Sequence, residues 1–173
     1  SVIQYYKLAE VVRNGGIGQL QRIKVGLPSK TVVPVEPPAP VPADLNYEMW
    51  LGPAPFRPYT PTLTDAQVWR QIRDFSGGSL TDWGAHHFDI IQWALGMDGA
   101  GPAELKPLSD GPNGMVGMKY ANGVPVNFVI EPGKGPMGGA VFICERGKLE
   151  INRNKFTSNP PEIAQELLKK LDV

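Results

Sequence analysis

The run Gly77-Gly78-Ser79-Leu80-Thr81-Asp82-Trp83-Gly84-Ala85-His86-His87-Phe88-Asp89 holds both histidines of the chain and two carboxylates. An imidazole titrates near neutrality, so it can take a hydroxyl proton as an alcohol is oxidised and return it in the reduction. A carboxylate one helical turn away can fix the tautomer and stabilise the protonated ring. A helix turns by about 100° per residue, so side chains four apart share a face. Asp82 and His86 have that spacing, and Asp89 and Trp93 continue the stripe. The opposite stripe, Leu80, Trp83, Gly84, His87, Ile91, Ala94 and Leu95, is mostly apolar and is expected to be buried. Simpler readings stay open. Asp82 in a first helical turn also suits the backbone dipole as a cap, and His86 equally fits a surface or satisfied core histidine. Gly77 and Gly78 let another molecule approach the backbone closely.

Other chemistry is weaker. Asp82, His86, His87 and Asp89 supply ligand atoms of the kind zinc or iron takes. His87, however, points about 100° away from His86, and the chain has neither an H-E-x-x-H motif nor a cysteine pair. No metal site is expected. Gly133-Lys134-Gly135-Pro136-Met137-Gly138 matches G-x-G-x-x-G literally, but that signature needs a strand before it and a helix after it. Here Pro136 and another strand follow, so a hairpin loop is expected. Gly15-Gly16-Ile17-Gly18 follows a helix and fails the same test, so no cofactor-binding residue is assigned. Arg57, Tyr59, Arg70 and Arg73 stand near the aromatics of a long loop. Guanidinium forks and aromatic faces suit polyols or carboxylates, although solvated surface arginines are commoner.

The elements that must position these residues follow from periodicity. Residues 5–14 carry Tyr5, Leu8, Ala9 and Val12 on one face before Gly15 and Gly16, which predicts a helix. Residues 19–27 alternate as a strand. From Pro28 to Pro61 proline recurs too often for an interior strand or a helix. The same stretch holds Tyr47, Met49, Trp50, Leu51, Phe56 and Tyr59, so a long ordered loop with packed aromatics is expected. Residues 65–75 are left open between a short helix and an extended segment. Ser79 or Thr81 is expected to cap the histidine helix, which ends near Gly96. Two hairpins follow, 115–120 with 124–131 around Asn122-Gly123, and 140–144 with 148–152 around Glu145-Arg146-Gly147. Residues 104–108 can add an edge strand, and Pro160-Pro161 opens an amphipathic helix over 162–171. The pattern predicts an α+β fold, a mainly antiparallel open sheet with helices packed on one face.

At 173 residues the chain can bury one core, most simply as one domain. Its formal charge is zero, so neither a nucleic-acid stripe nor an acidic tail is indicated. Nothing reads as a signal peptide or membrane span. The single cysteine, Cys144, lies in an apolar run and is expected to be a small buried hydrophobe. The chain starts without methionine, inside a helix, and is expected to be a piece of a longer protein.

The run from Gly77 through Asp82, His86 and Asp89 to Trp93-Ala94-Leu95-Gly96 resembles the substrate-domain helix of the glucose–fructose oxidoreductase/inositol dehydrogenase/MocA (Gfo/Idh/MocA) family. Asn46-Tyr47-Glu48-Met49-Trp50-Leu51-Gly52-Pro53-Ala54-Pro55 with Arg57-Pro58-Tyr59 resembles a bacterial subgroup of it. Val11-Val12-Arg13-Asn14-Gly15 with Ile17-Gly18 fits the helix-to-strand passage into that domain. The resemblance spans nearly the whole chain. It implies a C-terminal domain like that of glyceraldehyde-3-phosphate dehydrogenase, with residues 1–173 as one substrate-binding and oligomerisation domain. It also implies that the full-length protein carries an N-terminal dinucleotide-binding domain outside this chain. Asp82 and His86 would match the family's acid/base pair, and Asp89 would be structural. Arg57, Tyr59, Arg70 and His87 would contact substrate.

The implied reaction is hydride transfer between a sugar or polyol hydroxyl and NAD or NADP, the cofactor being held mainly by the absent domain. The family's catalytic lysine lies in an E-K-P motif of that domain; no Glu-Lys-Pro occurs here, and Leu105-Lys106-Pro107 has a different context. The fragment alone is therefore expected to be inactive. A homo-oligomer through the sheet face is implied, with no nucleic-acid or membrane partner. The compartment is left open, cytoplasmic or exported if a missing N-terminus carries a twin-arginine signal. Two rivals remain: a non-catalytic sugar-binding or assembly domain that keeps the fold, and a metal-dependent sugar isomerase-like protein.

Overall fold

The computed structural model describes residues 3–27, 32–110, 115–129 and 139–170. In chain order the first elements are α1 (Ile3–Arg13), β1 (Leu20–Gly26), α2 (Tyr47–Leu51), α3 (Ala66–Trp69) and α4 (Trp83–Leu95). Then come β2 (Glu104–Pro107), β3 (Val116–Lys119), β4 (Pro125–Val129), β5 (Gly139–Cys144), β6 (Gly147–Asn152), β7 (Phe156–Asn159) and α5 (Pro161–Lys170). The chain folds as two compact units, Ser1–Ser29 with Trp83–Val173, and Lys30–Asp82.

The first unit is a seven-stranded sheet in the order β2-β3-β4-β1-β5-β6-β7. Every neighbouring pair is antiparallel except β1 with β4. The alternation that makes strands two-faced is plain in β1, β5 and β6. Ile23, Val25, Ala140, Phe142, Cys144, Leu149 and Ile151 turn inward and are buried. Arg22, Lys24 and Lys148 turn outward into solvent. On the inner face, α1 packs against α4 and β6. It contributes Tyr5, Leu8, Ala9 and Val11 to the core. Gly15, at φ +68°, ends the first helix, a left-handed turn that costs glycine little. The expected α+β architecture and both hairpins are present, and Gly123 carries the first hairpin turn at φ +83°. The G-x-G-x-x-G match at 133–138 lies outside the described residues.

Two elements differ from expectation. The sequence pattern does not predict β7, a four-residue edge strand whose side chains are exposed or half-buried and so carry little hydrophobic signal. The proline-rich stretch does contain a helix, because the gap between Pro42 and Pro53 has no proline and leaves room for the single turn α2. Asn46 caps that turn, its side-chain oxygen accepting the Met49 N–H at 3.0 Å.

The second unit has its own small core of Tyr47, Leu51, Leu63, Val68 and Ile72, with Trp50, Tyr59 and Phe75 packed against it. Tyr47, Trp50 and Tyr59 are thus packed as expected, whereas Phe56 and Met49 are exposed. Tyr47 stacks on Trp50 with ring centres 5.8 Å apart, and meets Tyr59 edge-on at 5.5 Å. Residues 65–75 resolve into α3, capped by Asp65 through the Gln67 N–H at 2.7 Å, and tight turns beyond it.

Candidate active site

Helix α4 settles the positions of the two histidines. Its buried residues, Gly84, His87, Ile90, Ile91 and Ala94, recur at three- and four-residue spacing and define the core-facing stripe. His86, one residue earlier than His87, is exposed, as is Asp89. His87 is 2% exposed. It meets Trp83 edge-on at 6.4 Å, and the Arg153 guanidinium lies over the same indole at 5.0 Å. His87, expected to contact substrate, lies on the core-facing stripe, by the same periodicity that buries Ile91 and Ala94.

The helix starts at Trp83, so Asp82 immediately precedes it instead of lying in its first turn. Residues Gly78–Leu80 form a 3-10 turn, and the Thr81 hydroxyl donates to the Gly78 carbonyl at 3.3 Å. Within the second unit the Asp82 carboxylate pairs with Arg70 at 3.4 Å. Arg70 follows directly on α3, and its guanidinium also lies over Trp69 at 5.7 Å. Both partners are about one-third exposed, so the pair contributes little to stability, about 0.2–1 kcal/mol. Its effect is to hold a carboxylate in place.

Arg57 and Tyr59, the other expected substrate contacts, are half-buried in the second unit. The Tyr47 hydroxyl donates to the Arg57 carbonyl at 2.7 Å and pins that strand of loop. Arg57 lines a cleft of about 250 Å³ together with Glu36, Leu63 and Ile72. Glu36 accepts the Thr62 N–H at 3.0 Å and the Thr62 hydroxyl at 2.8 Å, and these bonds hold its carboxyl below the usual range. Sequence reasoning missed Glu36. The available signal was its isolation, since it is the one charged residue between Lys30 and Asp44.

Within the second unit, a carboxylate anchored by arginine and a cleft lined by a guanidinium and a carboxylate suit the handling of hydroxyl groups. The family described as the oxidoreductase family, C-terminal alpha/beta domain, of Gfo/Idh/MocA type, matches residues 29–171. The chain belongs to this family. A comparison with curated proteins returns no match. Among solved structures, the Gfo/Idh/MocA domain is similar to an oxidoreductase from Thermotoga maritima, at 20% identity and a TM-score of 0.53, over 98% of this chain and 48% of that one. It also matches the WlbA dehydrogenase from Bordetella pertussis, solved in complex with NADH and UDP-GlcNAcA, at 13% identity and a TM-score of 0.49, over 87% of this chain and 40% of that one. At these identities the likeness concerns fold, and the Thermotoga protein carries it. The chain spans less than half the length of either. Among the described residues, no helix is long and apolar enough to cross a membrane.

Proposed function

We propose that this Gfo/Idh/MocA domain is the substrate side of an NAD- or NADP-dependent dehydrogenase acting on a sugar or polyol hydroxyl. The observation that carries the reading is the exposure of His86 on α4 in a chain of this oxidoreductase family, while its neighbour His87 is packed away. The nicotinamide, held mainly by a separate dinucleotide-binding domain, supplies the hydride acceptor. On this domain, His86 takes the hydroxyl proton as the C–H hydride leaves the carbinol carbon, and gives it back when the carbonyl is reduced. Asp82, held by Arg70, is the acidic partner that stabilises the protonated imidazole. Arg57 and Tyr59 are the substrate contacts, and Arg70 acts through Asp82.

The test is alcohol-dependent reduction of NAD and of NADP by this chain joined to a dinucleotide-binding domain of its family, over a panel of sugars and polyols. Saturable reduction is expected with at least one of them. Asp82→Asn should lower kcat by about 10–10³-fold, and Arg57→Ala should act mainly on KM. No reduction of either cofactor by any of the alcohols, or an unaltered rate in Asp82→Asn, would remove the proposal.

A further inference from the structure

A second cleft of about 280 Å³ lies within the Lys30–Asp82 unit, beside α2 and α3, and the proposed acid/base chemistry does not use it. Trp50, Trp69, Phe75, Leu51 and Pro53 provide its walls, and Asp74 is the one charged residue on its lining. The aromatic walls are fixed. Trp50 is stacked on Tyr47 at 5.8 Å and meets Phe75 edge-on at 5.2 Å. Asp74 is exposed and, among the described residues, has neither an ion pair nor a hydrogen bond. Arg70, whose guanidinium lies over the Trp69 indole at 5.7 Å, is itself paired with Asp82 at 3.4 Å.

From these features we infer that the cleft binds a small organic cation, an alkylammonium group seated against Trp50 and Trp69 with its charge toward Asp74. The chemistry of the lining selects that class. Aromatic faces carry negative quadrupolar charge and attract cations, most strongly at tryptophan. Asp74 adds a full negative charge of the same sign, and among the described residues no cation is paired with it. A polyol would bring several hydroxyl groups against a wall with a single carboxylate and two indole N–H groups, and most of those hydroxyls would lose hydrogen bonds on entry. A neutral hydrocarbon would use the rings but gain nothing from the carboxylate. The volume lies near the lower edge of small-molecule sites, which begin at about 300 Å³, and so favours a head group the size of trimethylammonium.

The experiment compares choline with 3,3-dimethylbutan-1-ol, its neutral isostere in which carbon replaces nitrogen, by titrating the chain and following the four indole N–H resonances. Choline should shift the Trp50 and Trp69 signals saturably and bind at least about fivefold more tightly than the alcohol. Asp74→Asn should bring the two ligands to within about twofold of each other. Trp50→Leu, confirmed as folded by circular dichroism, should weaken choline binding by about fivefold or more. Equal affinity for the two ligands in the unaltered chain would overturn the inference. So would the absence of any saturable shift, or displacement of choline by glucose at lower concentration than by tetramethylammonium. None of these results depends on hydride transfer, so failure here and failure of the dehydrogenase reading are separable.

Discussion

His86 and His87 are adjacent in sequence and opposite in consequence, because α4 turns by about 100° between them. One is left in solvent and the other is 2% exposed among the core residues of the first unit. Their separation was legible in the sequence, since the stripe Gly84, His87, Ile91, Ala94 is a simple helical period. The fate of Asp82 was not. Spacing places it one turn before His86, but its partner Arg70 is distant in sequence and no local pattern announces the pair. Cys144 was legible too, as a small hydrophobe inside an apolar strand. Burial pushes its thiol from the ordinary value of 9.0 up to about 12. The unfolded chain therefore ionises at Cys144 before the native one does. The stabilising difference is intact below about pH 9 and is lost as the pH rises from there towards 12. Folded protein at pH 8 should resist thiol reagents and react only on denaturation. Rapid labelling of the folded protein would contradict this burial.

At the scale of elements, the sequence signals worked where glycine or periodicity fixes a shape and failed where packing alone decides. Asn122-Gly123 and the approach to Gly147 marked both hairpins. By contrast, β7 has no buried stripe of its own, and α2 and α3 are single turns held by caps and by the aromatic cluster. Gly147 is needed twice over. Its φ is +146°, and a Cβ there would run into the Asn159 carbonyl of β7. Gly147→Ala should cost about 1–3 kcal/mol and appear as a lower Tm in calorimetry; an unchanged Tm would show that β6 and β7 lie less close. In the second unit, the tie from Thr62 to Glu36 links two proline-rich segments of loop. Because the folded carboxyl is held below its ordinary value of 4.5, the contribution is present above that pH and is lost as the pH falls through the lower folded value. Tryptophan fluorescence followed during acid titration should show a transition that Glu36→Gln alters. An identical acid transition in that variant would leave the tie without a role in stability.

The whole molecule is an α+β sheet unit with an inserted aromatic unit, and the first was far more legible than the second. A sheet repeats a two-residue period that a reader can follow, whereas the insert depends on contacts between turns. Its clefts at Glu36 and Asp74 became visible only once those turns were folded. The outer sheet face sets Val141 and Ile143, both half-buried, among Arg22, Lys24, Lys148 and Glu150. We propose that two copies meet there, with charges of both signs around a short apolar strip. Ile143→Glu should then lower the sedimentation coefficient towards that of a monomer; a chain monomeric from the outset would refute the pairing.

The comparison that bears most directly on the dehydrogenase reading replaces each histidine in turn in the chain joined to a dinucleotide-binding domain of its family. His86→Ala should keep its Tm and lose about 10²–10⁴-fold in kcat, while His87→Ala should lose about 2–4 kcal/mol of stability. A His86→Ala protein that turns over at the original rate would contradict the assignment.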